Sequence, residues 1–195
     1  ANLVNNRQLT ASHLLMAVGR KPSLDGLQLA AANIRHDNKG IVTDRRLRTS
    51  NRHVYAIGDV TGRQQFTHIA GYHAGIVIRN ILFKIPAKLD DRAVPWVTYC
   101  DPELAHVGLG LDDATARFGR DQVICLETPL SGNDRAIADR RSEGMVKVIT
   151  HKNGRILGAS ILAPAAGEMI LAWSHAIATK TKIGRMASLI APYPT

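Results

Sequence analysis

Hydrophobic residues follow two different patterns along this chain of 195 residues. In the first half they form short apolar runs that end at glycine or at charged residues, a pattern typical of strands that enter loops. The pattern predicts a buried strand at 13–18 (HLLMAV), a turn or short helix at 24–32, and short strands at 40–44 and 53–57. Residues 66–83 then repeat apolar side chains close to the helical period, which predicts a helix.

A charged segment with two prolines, 84–95, interrupts this pattern and predicts a domain boundary. Beyond it, short apolar runs alternate with turn signals, of which KNGR at 152–155 is the clearest, and this close spacing favours an antiparallel sheet. We expect Asp112 to cap a short helix that stops at Gly119. Strands followed by helices predict the fold class α+β. The predicted strands are 96–99, 106–108, 123–128, 145–150 and 156–162, and the predicted closing helices are 166–180 and 183–190.

Gly58 and Asp59 end the predicted strand at 53–57 and allow two interpretations. Any globular protein can end a strand on a Gly-Asp turn, because glycine takes backbone angles that other residues avoid and aspartate hydrogen-bonds its own turn. Alternatively, Asp59 lies at the carboxyl end of a parallel strand, where open α/β sheets bind ligands, and accepts hydrogen bonds from a polyol. The helix that follows has a side of small residues, which suits packing on a sheet and packing on a planar ligand equally well: Ala70, Gly71, Ala74 and Gly75.

Composition narrows the possible classes of function. With 45% hydrophobic residues the chain can bury a sizeable core, while no apolar run approaches the ~20 residues of a membrane span. The net charge of +9 is carried by scattered Arg and Lys with only 5% aromatic residues, which argues against nucleic-acid binding and leaves some attraction for phosphates.

Cys100 and Cys125 are too far apart for a CxxC pair, and no His/Cys cluster has the spacing of zinc ligands, so we expect inert core thiols and no metal site. The first residues lack the pattern of a signal peptide, which favours a cytoplasmic location.

A series of motifs that resembles a known family runs along nearly the whole chain. VGRKPSL at 18–24, YAIGDV at 55–60 and the helix FTHIAGYHAGIVIRNIL are followed, beyond the linker, by PWVTYCDPELAHVGL, SGNDRAIADRRSEGMVKVI and GRILGASILAPAAGEMI. In this order they resemble the carboxyl-terminal half of the pyridine nucleotide-disulfide flavoprotein oxidoreductases, the family of dihydrolipoamide dehydrogenase and mercuric reductase. The resemblance implies FAD as the cofactor and NAD(P)H as a co-substrate. It implies that Asp59, with Gly58 for the turn, holds the flavin ribityl chain, and that the flavin pyrimidine edge meets unpaired backbone N–H groups of Thr67, His68, Ile69 and Ala70.

The same resemblance implies three parts: 1–20 as the end of an NAD(P)-binding domain, 21–92 as the carboxyl-terminal part of an FAD-binding domain, and 93–195 as an interface domain that forms a homodimer. Tyr193 stands where lipoamide and glutathione reductases have a catalytic acid-base His, and a Tyr there is similar to mercuric reductase. A phenol with a pKa near ~10 is a poor base at neutral pH. Tyr193 therefore either has a catalytic, substrate-side role or packs at the dimer seam.

In the intact enzyme that the resemblance implies, electrons pass from NAD(P)H through FAD and a redox disulfide to a small-molecule, disulfide or metal-ion substrate. The family's Gly-rich dinucleotide loop and its paired redox cysteines have no counterpart in this sequence. We therefore expect a carboxyl-terminal fragment that retains no FAD and has no turnover by itself. The alternative is a noncatalytic dimerisation module that binds no flavin.

Overall fold

The computed structural model describes Gln8 and residues 10–195. Two compact units divide the chain, one ending at Leu89 and the other beginning at Asp90. Residues 1–7 and 9, which belong to the segment 1–20 assigned above to an NAD(P)-binding domain, lie outside the described residues. No described helix has both the length and the apolar composition that are needed to cross a lipid bilayer.

The first unit is built around one long helix and several turns. Helix α1, Thr67–Ile81, confirms the helix predicted at 66–83. Its buried side chains are Ile69, His73 and Ile76, which share one face because they are three or four residues apart. One small apolar core contains Ile76 with Leu47, Ala87 and Leu89. A second contains Leu29, Ile34, Ile41 and Ala56.

The strands predicted in the first unit are wrong. Residues 13–18 have no regular structure, and their large apolar side chains are between 76% and 89% exposed. Residues 40–44 and 53–57 each contribute only one isolated bridge, while 24–32 forms turns as expected. A strand requires neighbours for its N–H and C=O groups, and the described part of this unit contains no sheet that these segments could join. The segment 53–57 leads into a short 3₁₀ helix, Gly58–Thr61.

A five-stranded antiparallel sheet forms the centre of the second unit, which confirms the predicted fold class α+β. Its strands, in the spatial order β1-β2-β5-β4-β3, are β1 (Pro95–Thr98), β2 (Glu103–Gly108), β3 (Val123–Pro129), β4 (Met145–His151) and β5 (Ile156–Ala163). The helices are α2 (Leu111–Phe118), α3 (Asp134–Ala138), α4 (Ala166–Ala178) and α5 (Ile183–Ala187). The turn predicted from KNGR joins β4 to β5.

Helix α4 covers one face of this sheet. Ile170 is 2% exposed, and Trp173 and Ile177 pack beside it against the apolar core of the sheet. Met169 and Leu171 remain 38% and 68% exposed. The helix therefore buries one apolar side within the second unit and leaves further apolar surface on its outer side.

Three local features of the second unit differ from the predictions. The cap of α2 is Gly110, and Asp112 lies within the first turn, where its charge suits the positive end of the helix. Helix α3 was not predicted because its five residues carry no apolar period; the Asn133 side chain caps it by accepting a backbone N–H. Cys100 is exposed and is therefore not a core thiol, whereas the half-buried Cys125 packs against a small apolar core of Ala114, Ile149 and Leu157.

Candidate functional site

Gly58 opens the turn that presents Asp59. Its backbone lies in the left-handed region, with a φ of 67°, which glycine adopts without the steric penalty of a side chain. A Cβ added to Gly58 would lie 3.1 Å from the Cβ of Ala70, so the turn packs directly on the first turn of α1. The Gly-Asp turn and the amino-terminal end of α1 therefore form one compact local structure.

Three hydrogen bonds hold the main chain on both sides of Asp59. The Gly58 N–H donates to Nδ1 of His73 over 3.0 Å. The Gly58 carbonyl accepts from the Thr61 hydroxyl over 2.8 Å, and the Asp59 carbonyl accepts the Gly62 N–H over 3.0 Å. Backbone groups that are paired in this way restrict the turn to one conformation.

The side chain of Asp59, in contrast, is exposed to solvent. No described residue makes a hydrogen bond or an ion pair with its carboxylate. A carboxylate has two oxygens that each accept hydrogen bonds, and adjacent hydroxyls of a polyol are suitable donors. The turn thus presents a fixed acceptor whose hydrogen-bonding capacity the described protein leaves unused.

The amino-terminal turn of α1 contributes less than the sequence predicts. The N–H groups of Ile69 and Ala70 both donate to the Phe66 carbonyl, over 3.0 and 3.2 Å, so they are not unpaired donors. The Thr67 N–H occupies the first helical position, where an intrahelical acceptor does not exist. The first turn has no acidic residue to neutralise the positive end of the helix dipole. The exposed His68 ring stacks on the Phe66 ring, with 5.2 Å between the ring centroids.

The small-residue side of α1 is open in the first unit. A Cβ added at Gly71 or at Gly75 would meet no atom within 4 Å. Both residues are exposed. Plain packing of this helix side on a sheet, one of the two interpretations of the sequence, therefore does not occur at these positions among the described residues.

His73 is the residue of this site that sequence reasoning missed. Its side chain is 1% exposed and lies on the buried face of α1 with Ile69 and Ile76. Burial, and secondarily the positive charge of Arg63, lowers the pKa of the imidazole below its usual value. The neutral ring with an unprotonated Nδ1 is the form that accepts the Gly58 N–H. The sequence signal that could have identified His73 is its place as a polar residue on an apolar helix face, because a buried polar group needs a hydrogen-bond partner.

Tyr193 lies in the second unit, and its side chain is 81% exposed. Its hydroxyl donates to Oδ2 of Asp134 over 3.0 Å. The Thr195 carbonyl accepts from the side-chain amide of Asn133, also over 3.0 Å. These contacts fasten the last residues of the chain to the start of α3. The phenol is therefore oriented by a carboxylate while its ring remains accessible to a molecule outside this unit.

Among the described residues, the thiols and the ligand-type side chains do not form a second site. Cys100 and Cys125 are free thiols. Burial raises the pKa of the Cys125 thiol, and its hydrogen bond to the Glu127 carboxylate acts in the same direction. A raised pKa disfavours the thiolate, which is the reactive form. In the part of the chain that the structure describes, no three side chains of His, Cys, Asp or Glu come together as a metal site.

Two family models match the sequence. The model of the pyridine nucleotide-disulphide oxidoreductase dimerisation domain matches residues 94–195, and the model of pyridine nucleotide-disulphide oxidoreductase matches residues 1–74. Mercuric reductase from Bacillus cereus is 35% identical over 191 residues, which cover 97% of this chain and 30% of that protein. Dihydrolipoyl dehydrogenase 3 from Haloarcula marismortui is 34% identical over 190 residues, which cover 96% of this chain and 39% of that protein.

Solved structures share the fold. LpdA from Mycobacterium tuberculosis matches with a TM-score of 0.90 at 27% identity, over 100% of this chain and 42% of that chain. The HOCl-induced flavoprotein disulfide reductase RclA from Escherichia coli matches with a TM-score of 0.83 at 30% identity, over 92% and 41%. The chain thus spans less than half the length of each of these relatives. Its motifs, its fold and these similarities together show that the chain belongs to the pyridine nucleotide-disulphide oxidoreductase family.

Proposed function

We propose that this chain supplies a flavin-holding turn and the dimer interface of an FAD-dependent pyridine nucleotide-disulfide oxidoreductase. The observation that carries the proposal is the Asp59 carboxylate. It is exposed, it has no partner among the described residues, and it stands on a turn whose main chain is held on both sides. The matches of the two family models, one to each part of the chain, support the same assignment.

The residues around Asp59 fit the ribityl chain of FAD. Hydrogen bonds from hydroxyl groups to a carboxylate are charge-assisted and contribute about 1.5–3 kcal/mol each. Because His73 and Thr61 already hold the turn, ligand binding does not have to order it. The Thr67 N–H, at the positive end of α1, is a donor that suits negative charge on a flavin ring. We therefore assign Gly58, Asp59 and the start of α1 to the cofactor site.

When bound at this site, FAD would supply the hydride and electron transfer between NAD(P)H and a redox disulfide. We assign that disulfide to a part of the protein outside these 195 residues, because Cys100 and Cys125 are free thiols at separate places in the second unit. The electron acceptor is a small molecule, a disulfide or a metal ion. In this proposal 1–20 ends the NAD(P)-binding domain, 21–92 belongs to the FAD-binding domain, and 93–195 is the interface domain.

The second unit, in this proposal, pairs with the same unit of another copy. Leu171 on α4 is 68% exposed, and Leu189 and Ile190 are 63% and 101% exposed. Apolar surface of this kind marks association sites, and a two-fold dimer covers it with one self-complementary interface. Tyr193, exposed on the same unit, either acts on the substrate side or packs in the seam.

A dimerisation module without catalysis is the second candidate. The observation that favours it is the self-sufficiency of the second unit, in which the sheet, the covering helix and their apolar core all lie between Asp90 and Thr195. In this case the protein dimerises and binds no flavin. Flavin absorbance of the purified protein separates the two candidates.

Binding of FAD by the protein at its natural length tests the leading proposal. Asp59→Asn keeps the size of the side chain and removes its charge, and Asp25→Asn changes another exposed carboxylate of the same unit as a control. Because charge-assisted bonds contribute about 1.5–3 kcal/mol each, we expect Asp59→Asn to raise the Kd for FAD roughly ten- to hundredfold and the control to leave it unchanged. Equal Kd values for Asp59→Asn and the wild type would remove Asp59 from the site.

A further inference from the structure

Among the described residues, His73 is the only ionisable side chain that is fully buried. A buried imidazole loses its contacts with water, and this costs free energy unless the ring gains a hydrogen bond inside the protein. The bond that it gains is to the N–H of Gly58, fifteen residues earlier in the chain. Gly58 directly precedes Asp59, so the buried ring is bonded to the Ile57–Gly58 peptide, one residue before the proposed ligand residue.

We propose that His73 is a positioning residue for Asp59: by holding the Gly58 N–H, its Nδ1 sets the direction in which the Asp59 carboxylate meets its ligand. This inference rests on the proposed binding of the FAD ribityl chain by Asp59. His73 is 1% exposed, so it acts through the turn and not by contact with the ligand.

The other contacts of the turn explain why this bond matters. The two rotatable backbone bonds of Gly58 lie between its N–H and its carbonyl group. The Thr61 hydroxyl holds the carbonyl group, and Ala70 limits the movement of Gly58 on one side. The N–H that precedes those bonds is held by His73. Glycine has more accessible backbone conformations than any other residue. Without the acceptor, rotation about the Gly58 backbone would change the direction of the next residue, and the carboxylate would sample several orientations.

The imidazole has one tautomer that fits this role. Nδ1 must be unprotonated to accept the Gly58 N–H, so the ring proton is on Nε2. The charged group that acts on the ring is Arg63, and a ring neighbour on α1 is Tyr72, with 6.3 Å between the ring centroids. A positive charge nearby favours the neutral ring. ¹⁵N NMR of the wild-type protein at neutral pH should therefore show an unprotonated Nδ1, and a protonated Nδ1 would overturn the proposal.

Three variants separate positioning from simple packing. His73→Leu fills the buried position with an apolar side chain and removes the acceptor, whereas His73→Asn places a carbonyl oxygen close to the position of Nδ1. Ile76→Val is the control, because Ile76 is 1% exposed on the same face of α1. In the protein at its natural length, we expect His73→Leu to raise the Kd for FAD at least fivefold and to speed amide exchange at Gly58. His73→Asn should recover most of both losses, and Ile76→Val should leave the Kd unchanged.

A double-mutant cycle with Asp59→Asn gives the decisive comparison. If His73 acts through Asp59, His73→Leu has no further effect on the Kd for FAD once Asp59 is Asn. An equal rise in Kd in both backgrounds would show a purely structural role and overturn the proposal. The proposal would also be overturned if Asp59→Asn raises the Kd while His73→Leu leaves it unchanged. If Asp59→Asn itself leaves the Kd unchanged, the proposed function has failed at Asp59. The exchange rate of the Gly58 amide in His73→Leu then decides whether His73 holds the turn.

Discussion

Three glycines of the first unit share a positive φ but differ in their surroundings, so their alanine variants separate backbone strain from steric contact. Gly26 has a φ of 81°, and an added Cβ would meet nothing within 4 Å. Gly58 has a φ of 67°, and its Cβ would lie 3.1 Å from the Cβ of Ala70. Gly62 has a φ of 64°, and its Cβ would collide with the backbone carbonyl oxygen of Lys39. We expect the loss of stability to increase in this order.

The magnitudes follow from these contacts. A left-handed backbone costs alanine roughly 1–2 kcal/mol, while the smaller entropy of the unfolded chain offsets about 0.4–1 kcal/mol. Gly26→Ala should therefore lower the free energy of unfolding by no more than about 1.5 kcal/mol. Gly58→Ala adds overpacking of about 1–3 kcal/mol, which a small shift of Ala70 can relieve in part. Gly62→Ala should lose more than about 4 kcal/mol, because the obstructing atom belongs to the backbone and its movement breaks the turn.

Native-state amide exchange of the first unit is the suitable assay. The N–H groups of Ile41 and Ala56 donate to carbonyls of the same unit over 2.8 and 3.1 Å, so their protection reports its opening. Tryptophan fluorescence does not serve, because Trp96 and Trp173 both lie in the second unit. Equal losses for the three variants would refute the steric part of the reasoning, and a Gly62→Ala protein as stable as the wild type would refute the turn geometry itself.

Three further predictions concern pH, assembly and the core. Stability of the first unit should fall as the pH drops below about 6.5, because the unfolded chain then binds a proton at His73 that the lowered pKa of the folded imidazole resists. Amide exchange against pH measures this, and an equally steep dependence in His73→Asn would contradict it. Leu171→Glu should convert the proposed dimer to monomer in sedimentation at micromolar concentration without loss of folding, since Leu171 is 68% exposed; a persistent dimer would exclude that side of α4 from the interface. Ile170→Ala, at a residue that is 2% exposed, should lower the free energy of unfolding by about 2–5 kcal/mol in urea titrations followed by Trp173 fluorescence; an unchanged free energy of unfolding would contradict its place in the core.

Local pattern was sufficient where a segment's partners are close in sequence. The strands of the second unit were predicted because each is a short apolar run that pairs antiparallel with a strand next to it in sequence, as β4 and β5 do across the KNGR turn. Helix α1 was predicted because its hydrogen bonds lie within the segment itself. The strand predicted at 13–18 failed because an apolar run supplies neither the surface that would bury its side chains nor the neighbour that would complete its hydrogen bonds.

At the candidate site, too, the sequence predicted features that lie in one contiguous segment but not contacts between distant residues. The sequence alone indicated the Gly58-Asp59 turn, the helix after it and the place of Tyr193, because each belongs to a short contiguous motif. It did not indicate the bond from His73 to Gly58 across fifteen residues, or the bond from Tyr193 to Asp134 across fifty-nine. A side chain's hydrogen-bond partner depends on which distant atoms packing brings within about 3 Å, and no local pattern encodes that distance. Sequence therefore determined where the chain turns and which residue the turn presents, whereas the tertiary structure decided what holds the turn in place.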